Sequence, residues 1–261
     1  MIARLIQDAS LSEISELVSP SFFQVMPPRT LRRQLGGLAA NLRRRGRFED
    51  LRQRRAADLS ARGAGLRLLD RAASRFSADL PATPAGRQRR GEALLSLYFR
   101  QLLDGPDTLL DLRSAAFQGP DDNDNENDAP VAWAPAALWV RWDPDFIAAL
   151  RLLYRGFYDG DHSGDGSAFD RACAAMNLSA ARPVLLDHFG GDQSAVVFDP
   201  TAFRRTFHKV FLACRDAGDP LPGGFVPLGL YLGTLYEHMD RLGGAWDVRA
   251  AWRAAFDAEG R

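Results

Sequence analysis

Apolar residues recur every three or four positions through most of this chain, which is the spacing of one side of an amphipathic α-helix. The clearest run is Leu31, Leu35, Leu38 and Leu42. The pattern predicts helices over residues 10–18, 30–45, 48–76, 87–103, 145–158, 168–176, 180–189, 201–217 and 225–242, with a last helix after residue 247. Glycines near position 63 predict an interruption in the 48–76 segment.

Residues that cap helices stand at most of these predicted ends. An Asp or Ser side chain can accept hydrogen bonds from the first free amides of a helix, whereas glycine adopts the left-handed conformation that ends one. The predicted N-caps are Ser10, Asp143, Ser167, Asp199 and Asp247, and the predicted C-caps are Gly46 and Gly218.

The pattern changes between residues 104 and 142. Asp104-Gly105-Pro106 has turn composition, segment 108–113 is predicted to be a short strand, and 131–142 is predicted to be extended and to pair with it. The predicted fold class is mainly α, a multi-helix bundle with a minor β hairpin or short strands near residues 108–142. We expect an Arg-rich helical N-terminal region over 1–80 and a helical core domain over 87–261 with an acidic loop at 118–130. The two form either separate domains or one continuous domain.

Charge is divided unevenly along the chain. Residues 1–100 contain nineteen arginines and nine acidic residues, so the positive excess of this half is balanced by the negative excess of residues 101–261. The excess is concentrated between Arg29 and Arg90, where there are seventeen arginines and five acidic residues. We expect these arginines either to pair with the acidic half or to bind a partner. The predicted partner-binding residues are Arg32, Arg33, Arg43, Arg44, Arg45, Arg54 and Arg55.

Two kinds of partner fit this composition. Guanidinium groups neutralise the phosphates of nucleic acid or anionic lipid, and such binding weakens with salt. Only Phe48 and Phe76 are interspersed among the arginines, so base stacking is poorly provided for. A protein partner or a second copy of the chain is therefore the preferred prediction, with nucleic acid or anionic lipid as the alternatives.

No segment predicts a membrane span or a secretory signal. The most apolar run, residues 225–235, is about half of the ~20 residues needed to cross a bilayer. The two cysteines, Cys173 and Cys214, are too few for a disulfide scaffold and are predicted to be buried in helices. The lack of a predicted span and the low number of cysteines lead us to expect a soluble, cytoplasmic protein. Nearly all basic residues are arginine, which is typical of a high-GC genome and predicts a bacterial source.

Several segments after residue 108 resemble one known family. Leu109–Arg113 reads L-L-D-L-R, residues 150–159 read L-R-L-L-Y-R-G-F-Y-D, a helical segment follows at 169–178, and residues 221–236 read L-P-G-G-F-V-P-L-G-L-Y-L-G-T-L-Y. Residues 109–240 thereby resemble the C-terminal helical part of the UbiB and AarF group of atypical, protein-kinase-like proteins. In that group an L-L-D-F-G segment precedes a helical tail with the pattern L-P-x-x-h-x-x-L-x-x-x-L-x-T-L, where h is apolar. The resemblance implies a remnant, pseudokinase-like module.

The residues that phosphoryl transfer needs do not accompany this resemblance. A kinase-like site requires a strand lysine, a catalytic Asp loop and a metal-binding Asp. The single lysine, Lys209, falls inside a predicted helix, and no H-x-D-x-H-P-G-N-like segment precedes Leu109. Asp111 alone would remain of the metal site, and one carboxylate cannot hold magnesium and nucleotide.

The leading functional prediction is a non-catalytic binding or accessory module whose basic N-terminal helices dock a protein or anionic partner. The chain has four histidines, but the Glu-x-x-His motif of di-iron bundles does not occur. The alternative is a helical enzyme, or a protein binding haem or another cofactor, with a pocket among the C-terminal helices. The candidates for lining that pocket are Tyr154, His208, Tyr236 and His238. No catalytic residue or metal ligand is assigned, and the cofactor is left open.

Overall fold

The computed structural model describes residues 21–61, 66–69, 80–118, 131–160, 167–188 and 195–257 of the chain. Within these ranges the α-helices are α1 (Phe22–Val25), α2 (Pro28–Arg43), α3 (Arg45–Ala61), α4 (Pro84–Leu103), α5 (Pro144–Tyr158), α6 (Ala168–Ala175), α7 (Arg182–His188), α8 (Pro200–Ala217), α9 (Phe225–Leu242) and α10 (Val248–Asp257). The predicted mainly α fold class is confirmed. None of the described helices is both long enough and apolar enough to cross a membrane.

Helices α5, α6, α8 and α10 begin at the caps that the sequence predicts. The Asp143 carboxylate accepts two backbone amides of the first turn of α5, each at 3.1 Å. Ser167, Asp199 and Asp247 each accept one amide at the start of their helices. Gly218 ends α8 with a left-handed φ of 76°. These signals act within one turn of chain, which is why the sequence alone identifies them.

Five short strands complete the described structure: β1 (Leu66–Leu68), β2 (Asp107–Leu109), β3 (Phe117–Gln118), β4 (Val131–Trp133) and β5 (Trp139–Arg141). Strands β2 and β5 are antiparallel, with Asp107 opposite Arg141, which confirms the predicted pairing of these two segments. Strand β4 lies between β1, to which it is parallel, and β3, to which it is antiparallel.

Four predicted elements differ from the structure. The strand predicted over 108–113 ends at Leu109, because the following residues pair with no other strand of the described structure. Gly46 is not a C-cap, because α3 begins one residue earlier and includes it. Residues Leu66–Leu68 form β1 instead of continuing the 48–76 helix, since they pair with the distant β4. The predicted 180–189 helix starts as a 3-10 turn at Ser179–Ala181 and continues as α7. The predicted 10–18 helix and residues 119–130 of the predicted acidic loop lie outside the described residues.

Helix α9 supplies partners to the extended chain that follows β2. Residues 110–113 belong to no strand, so their buried backbone groups need hydrogen bonds from elsewhere. The Thr234 hydroxyl donates to the Leu110 carbonyl at 2.8 Å, and the His238 Nδ1–H donates to the Leu112 carbonyl at 3.1 Å. One side of α9 thereby holds this segment in the core.

Close helix contacts in the core depend on glycine. A Cβ at Gly156 of α5 would lie 2.5 Å from the backbone nitrogen of Phe169 in α6. A Cβ at Gly91 of α4 would overlap the indole ring of Trp246, just before α10. The α5–α6 and α4–α10 packings are therefore closer than any other residue would allow.

Candidate functional site

Helix α2 packs against the core along its leucine side. Leu38 is buried, and Leu31, Leu35 and Leu42 are half-buried against the core. Near the end of the helix, the Asn41 side-chain amide donates to the Trp139 carbonyl at 3.1 Å, and the Trp139 indole donates back to the Asn41 carbonyl at 3.2 Å. These two hydrogen bonds fix the rotation of α2 about its axis, so its opposite side faces away from the core.

That opposite side carries the exposed arginines. On an α-helix with 3.6 residues per turn, positions 29, 32, 33 and 43 fall on one side, opposite the leucines. Two further exposed arginines stand at the junction of α2 and α3. We define the arginine face as Arg29, Arg32, Arg33, Arg43, Arg44 and Arg45, all of them exposed. The sequence from Pro28 to Phe48 contains no Asp or Glu, so no acidic residue within this segment balances the positive charge.

The centre of the arginine face is open. Gly36 and Gly37 are exposed, and no described atom outside α2 would lie within 4 Å of a Cβ at either position. Glycine inside a helix costs about 1 kcal/mol relative to alanine. Since no close packing accounts for the two glycines, they leave the helix backbone accessible from outside.

Three other arginines of α3, Arg47, Arg54 and Arg55, have different surroundings, because they face the acidic residues around β2. The guanidinium of Arg55 lies 3.2 Å from the Asp104 carboxylate and donates to the Asp107 carbonyl at 3.0 Å. Arg47 and Arg54 lie 3.5 and 3.8 Å from the Asp107 carboxylate. Part of the positive excess of the N-terminal region is therefore neutralised by the second half of the chain.

Asp107 is the centre of this cluster. Arg141 donates to both of its carboxylate oxygens, at 2.9 and 3.0 Å. Burial by itself would raise the pKa of Asp107, but the hydrogen bond and charge of Arg141, together with the charges of Arg47 and Arg54, lower the pKa below its ordinary value. Asp107 therefore stays charged and holds α3 against the β2–β5 pair.

The structure divides the seven predicted partner-binding residues into two groups. Arg32, Arg33, Arg43, Arg44 and Arg45 belong to the arginine face. Arg54 pairs with Asp107 although 57% of its side chain is exposed, and Arg55 is only 5% exposed. The sequence shows acidic residues one helical turn from these two arginines, but it does not show the more distant Asp104 and Asp107.

The four predicted pocket residues do not share one site. Tyr154 and Tyr236 line the same cavity, which lies among helices α4, α5, α7, α8, α9 and α10. His208 is exposed on α8, with Nδ1 2.9 Å from the Ser21 hydroxyl. His238 is buried with its ring centroid 4.8 Å from that of Phe117. Since positions 236 and 238 point to nearly opposite sides of a helix, Tyr236 and His238 cannot line one pocket.

His188 lines the cavity in place of the two predicted histidines. It follows Leu185 by three residues on α7, and that spacing is the sequence signal that could have placed it on the same side as a core residue. Desolvation lowers the pKa of His188 to about 4, although the nearby Asp187 opposes the shift. The imidazole is therefore neutral at physiological pH.

The two cysteines are not reactive thiols, and the described acidic residues form no metal site. Cys173 and Cys214 are buried as predicted, and desolvation raises their pKa values to about 12 and about 11. Both thiols therefore stay protonated and are poor nucleophiles. Within the described ranges, no group of three His, Cys, Asp or Glu side chains could hold a metal ion.

Asp111, the residue that the family resemblance implies for a metal, is fully buried and bonded within the protein. Arg113 donates to both carboxylate oxygens, at 2.7 and 3.1 Å, and the Ala136 amide donates to one of them at 2.8 Å. No protein-family model matches this chain, and a search of curated proteins finds no match to it. The resemblance to the UbiB and AarF group stays a prediction.

Proposed function

We propose that this protein is a non-catalytic binding module that docks duplex nucleic acid through phosphate contacts from the arginine face. The observation that carries the proposal is the charge of the arginine face: its six exposed arginines lie in a segment, Pro28 to Phe48, that contains no acidic residue. The planar guanidinium group matches phosphate oxygens in a bidentate geometry.

The residues between the arginines favour phosphate over a protein or a membrane. Between Arg33 and Arg43, the side of α2 that carries the arginine face has only small residues, namely Gly36, Gly37, Ala39 and Ala40. The energetic centres of protein interfaces are enriched in Trp and Tyr as well as Arg, and this face has no aromatic residue beside its arginines; helices that bind membranes insert an apolar side. The leucines of α2 already pack against the core, so charge is what this face offers to a partner.

The spacing of the arginines favours a double strand. Arg32 and Arg43 are separated by about 16 Å along the axis of α2. The major groove is about 12 Å wide, so arginines at the two ends of the helix can reach phosphates on both of its rims. Single-stranded binding relies on stacking of bases on aromatic rings, and α2 contains no aromatic residue.

The test is a fluorescence-anisotropy titration of a short DNA duplex at several salt concentrations. We expect binding at low salt. The logarithm of the association constant should fall linearly with the logarithm of the salt concentration. The double variant Arg32→Gln/Arg33→Gln should lower the magnitude of that slope by about 2, since each lost phosphate contact removes about 0.9.

Arg204→Gln/Arg205→Gln is the matched control, because it removes two adjacent exposed arginines from α8. Equal weakening by both double variants, or no binding to the duplex at low salt, contradicts the proposal. Binding to phosphatidylserine-rich vesicles but not to the duplex would assign the arginine face to a membrane surface instead.

The compartment that fits this proposal is a reducing one, such as the cytoplasm. Cys173 and Cys214 are both free thiols. Free thiols persist where glutathione and thioredoxin keep them reduced.

A further inference from the structure

A cavity of about 80 Å³ lies among α4, α5, α7, α8, α9 and α10. It is lined by twenty residues, of which nineteen are aliphatic, aromatic or methionine, and the remaining one is His188. No lining residue carries a charge at neutral pH, and none belongs to the arginine face.

The inner wall of the cavity is built from aromatic side chains that contact one another. Tyr98 and Tyr154 join their hydroxyl groups in a hydrogen bond of 2.6 Å, so these polar atoms satisfy each other. Their rings meet edge to face, and Tyr98 also stacks on Tyr231 with 4.7 Å between ring centroids. These contacts fix the positions of the three tyrosine rings relative to one another.

The opening of the cavity can be placed from the exposure of its lining. Sixteen of the lining residues are buried, whereas His188, Val196, Phe207 and Leu232 are half-buried. Val197, next to this opening in sequence, is 66% exposed and is one of only two large apolar side chains that are exposed within the described ranges. An exposed valine beside the opening extends the apolar surface outward.

We propose that this cavity is a binding site for a small, uncharged apolar molecule, such as a single aromatic ring or a short aliphatic chain. An apolar cavity of about 150 Å³, roughly twice the volume of this one, takes up benzene or xenon, so the ligand here must be no larger than a single ring. A charged ligand is disfavoured, because no lining side chain would compensate its loss of hydration. The site is independent of the arginine face and of the nucleic-acid proposal.

The test is a titration of the full chain with benzene, followed by methyl resonances in two-dimensional NMR. We expect shifts at leucines that line the cavity, such as Leu95, Leu153 and Leu228. We also expect a higher melting temperature, because a ligand that binds only the folded state stabilises it. Benzoate, which has the same ring and a negative charge, should cause neither effect.

Leu232→Trp should abolish the benzene shifts by filling the cavity from its opening. Leu230→Trp is the matched control, because Leu230 is equally half-buried on α9 but does not line the cavity. Benzene shifts that persist in Leu232→Trp, or that are absent from the lining leucines of the unsubstituted protein, overturn the proposal. If Leu232→Trp does not fold, the location of the shifts in the unsubstituted protein decides the question.

Discussion

The side chain of His238 is fully buried, and only one of its two ring nitrogens has a partner in the described chain. Nδ1 donates to the Leu112 carbonyl, whereas Nε2 has no hydrogen bond there. Desolvation, reinforced by the charge of Arg90, lowers the pKa of His238 to about 3. At the scale of single residues, this environment requires a neutral imidazole.

Acid should therefore destabilise the protein before its carboxylates titrate. The unfolded chain binds a proton at histidine near pH 6.5, whereas folded His238 stays neutral down to about pH 3. Between about pH 3 and pH 6.5, unfolding therefore takes up a proton. The free energy of unfolding falls as the pH falls below about 6.5. Urea titrations should show a loss of about 2 kcal/mol from this residue between pH 7 and about pH 5.

Histidine substitutions separate this contribution from other acid effects. His238→Gln should reduce the pH dependence, because it removes an imidazole that takes up a proton only on unfolding. The same acid sensitivity in both proteins would show that His238 is not its source. His188 should add a contribution of the same sign, since its folded pKa is also lowered.

At the scale of elements, the glycines in the helices serve different purposes. Gly156 lets α5 touch the backbone of α6, whereas no described atom outside α9 would lie within 4 Å of a Cβ at Gly229. The same substitution should therefore have opposite effects at the two positions. Gly156→Ala should destabilise the protein by about 2 kcal/mol through overpacking. Gly229→Ala should stabilise it by roughly 0.5–1 kcal/mol through lower backbone entropy in the unfolded chain.

The measurement for this pair is the urea midpoint of each variant against the unsubstituted protein. Stabilisation by Gly156→Ala would mean that α5 and α6 are farther apart than the structure places them. Destabilisation by Gly229→Ala would place an unseen contact at that face of α9.

At the scale of the whole molecule, the charge excess of the N-terminal region divides into structural and exposed arginines. Arg55 is buried and paired with Asp104. Its removal takes this cation away from the Asp104 carboxylate, which has less than a tenth of its side-chain surface exposed. Arg55→Ala should lower the free energy of unfolding by about 3 kcal/mol. Arg33→Ala, on the arginine face, should change it by no more than about 0.5 kcal/mol.

The two substitutions should separate stability from binding. Thermal melts and duplex-DNA titrations of both variants are the measurements. A large loss of stability in Arg33→Ala, or none in Arg55→Ala, would contradict this division of the arginines. Binding should weaken in Arg33→Ala without a change in the melting temperature.

The sequence by itself determined most of the longer helices and many of their ends, but not α1 or the end of α3. Asp143, Asp199 and Gly218 act on backbone groups within one turn, and the leucine spacing of α2 predicts both its packed side and the opposite side that carries arginine. Only the tertiary structure decided which arginines remain exposed. Arg55 and Asp104 are 49 residues apart, and β1 became a strand because β4 lies beside it. The shared cavity of Tyr154 and Tyr236 likewise depends on how several helices pack, and no local pattern encodes contacts between residues so distant in the chain.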